Sequence, residues 1–183
     1  MRQISHLLGN LCASTLWRLR PREQRARGTA PTLMSDRQEE NTEQDSLRAL
    51  IRRFPYWTEG RALLTKKALH GNDIATAYAE AQALLALTPK NSHYHIEALF
   101  ELGRCFLRRN DASSALAFLE QAHGLRPTDS RIQEERSAAL VSLGDKVRAL
   151  DILRTIAPDV LSPEGKAALK WLSSEETPHQ TGR

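Results

Sequence analysis

His93 and His95 form an H-x-H pair two residues before Glu97, and these are the residues of the sequence whose types most resemble a metal site. Imidazole and carboxylate groups are zinc ligands, so a third ligand at a suitable distance would complete such a site. No further Cys, His or acidic residue stands at a fixed spacing from the pair. We therefore interpret it as part of a loop, with no metal and no cofactor expected.

Cys105 is the one candidate nucleophile inside the patterned part of the chain. It stands beside Gly103 and Phe106 in an apolar helical pattern, where a cysteine behaves as a small core residue. His70 and His123 lie near the ends of predicted helices, where a positive charge interacts favourably with the helix dipole. The sequence has neither a phosphate-binding glycine loop nor a G-x-S-x-G motif. No catalytic residue is predicted, and an enzyme is not expected.

The elements that would position these residues are helices. Ala and Leu are abundant among the 183 residues, aromatic residues make up 5%, and alternating β-branched runs are rare, so we expect an all-α fold. The net charge of +4 is concentrated early, because residues 1–37 contain seven Arg against Glu23 and Asp36. The near-neutral remainder argues against nucleic-acid binding. No run of 18 apolar residues occurs, and two unrelated cysteines suit a reducing, cytoplasmic location.

The first 45 residues are predicted to lie outside the folded domain. Residues 4–19 have a loosely helical apolar spacing and are followed by several Arg, a pattern open to three interpretations: a poorly ordered extension, a segment that contacts an anionic membrane, or a targeting peptide. Residues 36–45 contain five acids and are interpreted as a solvated linker. We expect a helical domain over residues 46–176 and a disordered tail over 177–183.

Two sets of residues reveal an internal repeat. Pro55 and Pro89 are 34 residues apart, and Pro127 follows 38 residues later. Asp73, Asp111 and Asp145, each at the end of a turn sequence, are 38 and then 34 residues apart. Each Asp precedes an apolar helical pattern. Its side chain can accept hydrogen bonds from the backbone N–H groups in the first turn of the helix that follows. A repeat of this length predicts stacked helical hairpins.

The second repeat has the clearest motif, with apolar or small residues at fixed places on two helices: Leu99, Leu102, Gly103 and Phe106, then Ala115, Leu119 and Ala122, then Pro127. This spacing resembles the tetratricopeptide repeat (TPR) pattern W-x2-L-G-x2-Y, A-x3-F and P. The first repeat departs from the pattern at Arg61 and Thr65, and the third departs at Arg136 and Ser137. The resemblance implies a TPR-like solenoid of about three repeats, with a half-repeat before it and a capping helix that begins at Ser162-Pro163-Glu164.

The same resemblance implies a concave groove lined by the first helix of each hairpin. The residues expected to face this groove are Glu59, Lys66, His70, Glu97, Phe100, Arg104, Arg108, Arg131 and Glu134. Phe100 is the expected apolar anchor, and the Arg side chains can bind carboxylates through paired hydrogen bonds. A solvated helical face is the alternative interpretation of each charged residue.

The predicted function is that of a protein-interaction scaffold or adaptor that holds a peptide or helical segment of another protein. Two alternatives remain at this point. One is a client chaperone similar in size and repeat number to those of type III secretion. The other is an accessory factor attached to a membrane through residues 4–19.

Overall fold

The computed structural model describes residues 30–176, and the side chains of residues 42–174. Residues 1–29 and 177–183, with the expectations made for them, lie outside the described residues. Residues 30–176 contain no strand, which confirms the all-α class, and their helices are α1 (Ala30–Arg53), α2 (Thr58–His70), α3 (Ile74–Leu87), α4 (His93–Arg108), α5 (Ala112–Leu125), α6 (Ser130–Ser142), α7 (Lys146–Thr155) and α8 (Pro163–Glu176). They belong to two compact units, an N-terminal unit up to Cys105 and a C-terminal unit from Phe106.

Helix α1 begins at Ala30, well before the expected domain start at residue 46. The acids of residues 36–45 were interpreted as a linker, but Glu, Gln and Arg are also good helix formers, and in this segment they extend the helix. Gln44 is 5% exposed, and its side-chain amide donates a hydrogen bond to the carbonyl of Lys67 at 3.3 Å. Leu47 and Ile51 pack against Leu64 of α2. The folded N-terminal unit therefore includes part of the predicted linker.

The three turn aspartates cap the second helix of each hairpin, as the sequence predicted. Asp73, Asp111 and Asp145 each accept a hydrogen bond at 3.1 Å from the backbone N–H three residues later. The residue before each aspartate has a left-handed backbone, with φ values of 65° at Asn72, 59° at Asn110 and 85° at Gly144. Asn and Gly are the residues that adopt this conformation most readily, so each turn reverses the chain without strain.

Small and branched apolar side chains alternate in the core, at the places that the repeat predicts. In the N-terminal unit the buried residues include Leu64, Ala68, Ala77, Ala81 and Leu84. In the C-terminal unit one cluster contains Leu140, Ala149, Leu150, Leu153, Ile156, Leu161 and Leu172. Fully buried Ala residues allow neighbouring helices to approach closely, and the Leu residues fill the space around them.

Polar side chains at departures from the repeat pattern are satisfied by hydrogen bonds. Arg61 forms an ion pair with Glu80 of α3 at 2.5 Å and donates two hydrogen bonds to the carbonyl of Pro55. The buried Thr65 hydroxyl donates to the carbonyl of Arg61 at 2.8 Å. Ser137, which stands where the pattern has glycine, donates to the carbonyl of Ala149 at 3.1 Å. Paired polar groups therefore replace part of the apolar packing at these places.

Helix α8 begins with the predicted cap. The Ser162 hydroxyl accepts a hydrogen bond from the N–H of Gly165 at 2.9 Å, and Pro163 is the first helical residue. Leu172 is 2% exposed within the cluster that includes residues of α7. The Lys146 ammonium group lies 4.8 Å from the centre of the Trp171 ring. Helix α8 therefore covers an apolar face of the third hairpin, as expected for a capping helix.

Candidate protein-binding surface

Helices α2 and α4, the first helices of two successive hairpins, bring two of the predicted groove residues together. The Lys66 ammonium group lies 3.1 Å from Glu97 Oε2. The pKa of Tyr94 is raised, first by partial desolvation and then by the negative charge of Glu59. We call the surface formed by Glu59, Lys66, His70, Tyr94 and Arg104 the α2–α4 face.

Two carboxylates lie beneath the cations of this face. Glu97 and Glu101 are each 3% exposed and stand one helical turn apart on α4. The Arg104 guanidinium donates to Glu101 Oε2 at 2.9 Å, and the Lys66 and Arg104 side chains are 46% and 31% exposed. Burial raises the pKa of Glu101, as does the charge of Glu97, whereas Arg104 and Lys66 oppose the increase. The α2–α4 face therefore exposes the cations Lys66 and Arg104 above two buried acids, and Glu59 is an exposed acid of the same face.

Phe100 has a different place from the one expected. Its side chain is 5% exposed, and the Arg104 guanidinium lies 5.6 Å from the ring centre. The helical spacing correctly assigned Phe100 to the first helix of a hairpin, but the ring is packed inside the protein. It does not offer a surface anchor in this structure.

Glu134 is already engaged in holding the capping helix. Its Oε1 accepts a hydrogen bond from the backbone N–H of Ser162 at 3.0 Å, and its Oε2 accepts from the Ser162 hydroxyl. A carboxylate that satisfies a free N–H group at the start of a helix has a structural role. Glu134 therefore fixes the start of α8, a role that the sequence pattern did not indicate.

The remaining groove predictions fall on accessible surface to different degrees. Glu59 and His70 are exposed on α2, and Arg108 at the end of α4 is half-buried. The Arg131 side chain is 51% exposed and forms two hydrogen bonds with Asp129, one of them at 2.8 Å. Asp129 also accepts the backbone N–H of Arg131 at the start of α6. Arg131 is accessible to a partner, although its guanidinium is held beside a capping carboxylate.

Tyr94 and Glu101 were missed in the sequence. Tyr94 stands three residues before the predicted groove residue Glu97 on α4, and Glu101 stands four residues after it. The helical period was therefore the signal that could have identified them. Their contacts with α2 or with Arg104 depend on tertiary packing, which the period alone does not provide.

The histidines and the cysteine that the sequence analysis considered for metal binding or catalysis contact neighbouring side chains of the fold. The His93 ring contacts that of Tyr94 at 5.4 Å between centres, and His95 Nδ1 lies 3.4 Å from the Thr88 hydroxyl. Within residues 42–174 no three His, Cys, Asp or Glu side chains are arranged to hold a metal ion. Cys105 is fully buried, as expected for a core cysteine, and packs against Ala68, Leu69 and Ala77.

His123 differs from its expected role as a positive charge near a helix end. Burial, assisted by the nearby charge of Arg136, lowers its pKa and favours the neutral imidazole. Its surroundings therefore oppose the favourable interaction with the helix dipole that the sequence suggested.

None of the helices in the described part of the chain is both long enough and apolar enough to cross a lipid bilayer.

Comparison with known proteins links this arrangement to TPR proteins, although no family model matches the chain. The "TPR repeat-containing protein PA4299" of Pseudomonas aeruginosa is 38% identical over 73 residues, which is 40% of this chain. The chain spans only 28% of the length of that relative.

Solved structures share the fold at low sequence identity. The thermophilic TPR protein TTC0263 of Thermus thermophilus has a TM-score of 0.63 at 16% identity, covering 80% of this chain and 79% of its own. A MamA double mutant has a TM-score of 0.63 at 17% identity, covering 76% of this chain and 77% of its own. The resemblance to tetratricopeptide-repeat proteins is therefore confirmed. The chain has the all-α repeat fold of the solved TPR structure, and the relative from Pseudomonas aeruginosa is described as a TPR repeat-containing protein.

Proposed function

We propose that this protein is an interaction scaffold or adaptor that binds a peptide or helical segment of another protein along the first helices of its hairpins. The observation that carries the proposal is the α2–α4 face, where Lys66 of one first helix lies 3.1 Å from Glu97 of the next. TPR-like folds serve in general as protein-interaction modules. No catalytic step is part of the proposal.

The charge distribution supports a partner that carries carboxylates. Lys66 and Arg104 keep a substantial part of their side chains exposed, whereas the acids that pair with them are covered. A ligand carboxylate would therefore meet cations first, and charge-assisted hydrogen bonds are stronger than neutral ones. The exposed Glu59 and His70 at the sides of the face would set the position and orientation of the partner.

Photocrosslinking in the native cell tests this proposal. A benzophenone amino acid would replace Glu59 or His70 on α2, and Gln82 on α3 or Gln121 on α5 as matched exposed controls. We expect the α2 positions to crosslink a specific protein that the controls do not capture. All four sites are exposed, so the substitutions should preserve the fold, and circular dichroism of each purified variant checks this point.

A charge-reversal variant provides the second readout. Lys66→Glu should abolish capture of the same protein, whereas Gln82→Glu should leave it unchanged. The proposal fails if the two α2 positions and the two control positions capture the same set of proteins, or if no specific protein is crosslinked from α2.

A further inference from the structure

Two glutamates form a buried pair under the α2–α4 face. Glu97 and Glu101 are each 3% exposed and stand four residues apart on α4, so they lie one helical turn apart on the same side of the helix. Glu97 Oε2 lies 3.1 Å from the Lys66 ammonium group. Glu101 Oε2 accepts a hydrogen bond from the Arg104 guanidinium at 2.9 Å. We call these four side chains the acid–cation cluster, which combines two buried acids with two accessible cations.

The charges beside the buried pair come from α2 and from α4 itself. Within the N-terminal unit α2 contributes Lys66, whereas two other cations of this helix are paired elsewhere. Arg61 forms an ion pair with Glu80, the one charged residue of α3. Lys67 forms an ion pair with Glu43 of α1. The remaining ionisable residues of α2 are exposed on the α2–α4 face: Glu59 and His70. The buried pair is therefore balanced by the two cations of the cluster.

Burial favours a protonated state of this pair. A carboxylate loses favourable hydration inside a protein, and a second carboxylate one turn away adds repulsion. Burial accordingly raises the pKa of Glu101; the charge of Arg104 opposes this increase, and the charge of Glu97 adds to it. Interacting acids titrate as a coupled pair, so the first proton belongs to both glutamates. The pair should take up this proton at a higher pH than an isolated glutamate does.

The cations of the cluster are free to respond to that proton. Their side chains reach the surface, since Lys66 is 46% exposed and Arg104 is 31% exposed. A hydrogen bond between two charged groups is about twice as strong as a neutral one, so a protonated Glu101 holds the guanidinium less firmly. Arg104 can then turn towards solvent without any movement of the backbone. A buried ion pair also adds little net stability compared with apolar residues of similar volume, so packing alone does not explain two acids at this place.

We propose that the acid–cation cluster is a proton-operated switch of the α2–α4 face. When the buried pair takes up a proton, Arg104 leaves Glu101 and turns to solvent, and the face gains one positive charge. This inference concerns regulation of the proposed binding surface, and it rests on the proposed function only for its benefit to a partner. A partner carboxylate would bind more tightly as the pH falls, because the released guanidinium no longer has an internal acid. The switch itself is a property of the free chain.

Nuclear magnetic resonance of the isotope-labelled full chain tests the switch without a partner. Nitrogen-15 relaxation of the Arg Nε–H groups reports the order of each guanidinium, with the Arg104 signal assigned from Arg104→Lys. Between neutral pH and pH 4.5, the ordinary glutamate value, the Arg104 order parameter should fall below about 0.6, the range of flexible groups. The carboxyl carbon signals of Glu97 and Glu101 should titrate over the same pH range.

Arg48 is the matched internal control. Its side chain is 33% exposed, close to that of Arg104, and its guanidinium lies 3.0 Å from Asp73 Oδ2. The pKa of Asp73 is lowered, first by its hydrogen bond with Thr76, so this carboxylate stays ionised as the pH falls to 4.5. The order parameter of Arg48 should therefore remain unchanged.

Two conservative variants separate the switch from general loosening. Glu101→Gln removes the acid but keeps its shape, and Arg104 should already be flexible at neutral pH, with no further change on acidification. Glu97→Gln removes the repulsion and leaves Lys66 to attract Glu101, so release of Arg104 should move to lower pH. Circular dichroism verifies that each variant is folded, and the wild-type comparison of Arg104 with Arg48 is decisive even if a variant is not.

Three results would overturn the proposal. One is an Arg104 order parameter that stays the same at neutral pH and at pH 4.5, which would show that contacts such as the Phe100 ring hold the guanidinium. Another is an equal loss of order at Arg48. The third is a pH dependence in Glu101→Gln that equals that of the wild type. Crosslinking from Glu59 and His70 is measured separately, so failure of the binding surface and failure of the switch are recognised independently.

Discussion

Replacing Phe100 with alanine should lower the free energy of unfolding by about 3–5 kcal/mol, because a buried phenylalanine loses its transfer free energy and leaves a cavity. The ring is 5% exposed, so nearly all of its surface is removed from solvent in the folded state. For a chain of this size each kcal/mol lowers the Tm by about 2–4 °C, which predicts a decrease of roughly 6–20 °C.

Urea and thermal unfolding, followed by circular dichroism at 222 nm, measure the effect. Tyr56→Ala is the matched control, since Tyr56 is 80% exposed and its removal should change stability by no more than about 0.5 kcal/mol. A loss below about 1 kcal/mol in Phe100→Ala would refute the packing argument and return Phe100 to its predicted role as a surface anchor. The same burial makes Phe100→Ala unsuitable as a binding variant, because lost stability would imitate lost affinity.

Three further predictions concern caps and buried charge. Asp73→Ala should cost about 1 kcal/mol in a urea titration, because it removes the acceptor for the Thr76 N–H, whereas Asp73→Asn keeps a good cap and should cost less. Its hydrogen bond with Thr76 holds the pKa of Asp73 low, so this stabilisation exists above the ordinary carboxyl pKa and is lost as the pH falls through the lowered value. The pKa of Glu101 is shifted in the opposite direction, because burial raises it and the native state binds a proton more tightly than the unfolded chain does. The wild type should therefore gain stability relative to Glu101→Gln as the pH falls from neutral to 4.5, the ordinary glutamate value. A difference in unfolding free energy that does not change with pH would contradict this. Ser162→Ala should cost about 1 kcal/mol and speed hydrogen exchange in α8 more than in α6, since it removes both the cap of Gly165 and a donor to Glu134.

The repeat period predicted most of the fold because its signals are local. An aspartate such as Asp111 caps a helix through atoms three residues away, and Ala or Leu at the helical period identifies the buried stripe wherever the helix lies. The start of α1 was predicted less well, because residues 36–45 have a composition that suits both a solvated linker and an exposed helix. Only the burial of Gln44 against α2 distinguishes the two.

The candidate site was predicted in part. Lys66 and Glu97 were assigned to one surface, and the structure brings them together. The roles of Phe100 and Glu134 could not be read from helical position, because each depends on which neighbouring element covers or contacts the side chain. The exposure of Leu50, Phe54 and Tyr56 near the end of α1 was not predicted for a related reason: a sequence pattern shows which residues are apolar but not which of them remain uncovered.

The buried position of Cys105 allows the opening of the N-terminal unit to be measured by chemical modification of this residue. Its thiol is fully buried and packs against residues of α2 and α3, so a water-soluble alkylating reagent reaches the sulfur only after this part of the protein opens. The rate of modification of Cys105 in native buffer, resolved from Cys12 by mass spectrometry of peptides, therefore reports how often the N-terminal unit opens. A partner that binds the closed state across α2 and α4 should slow the modification of Cys105 by the factor 1 + [L]/Kd, where [L] is the free concentration of the partner.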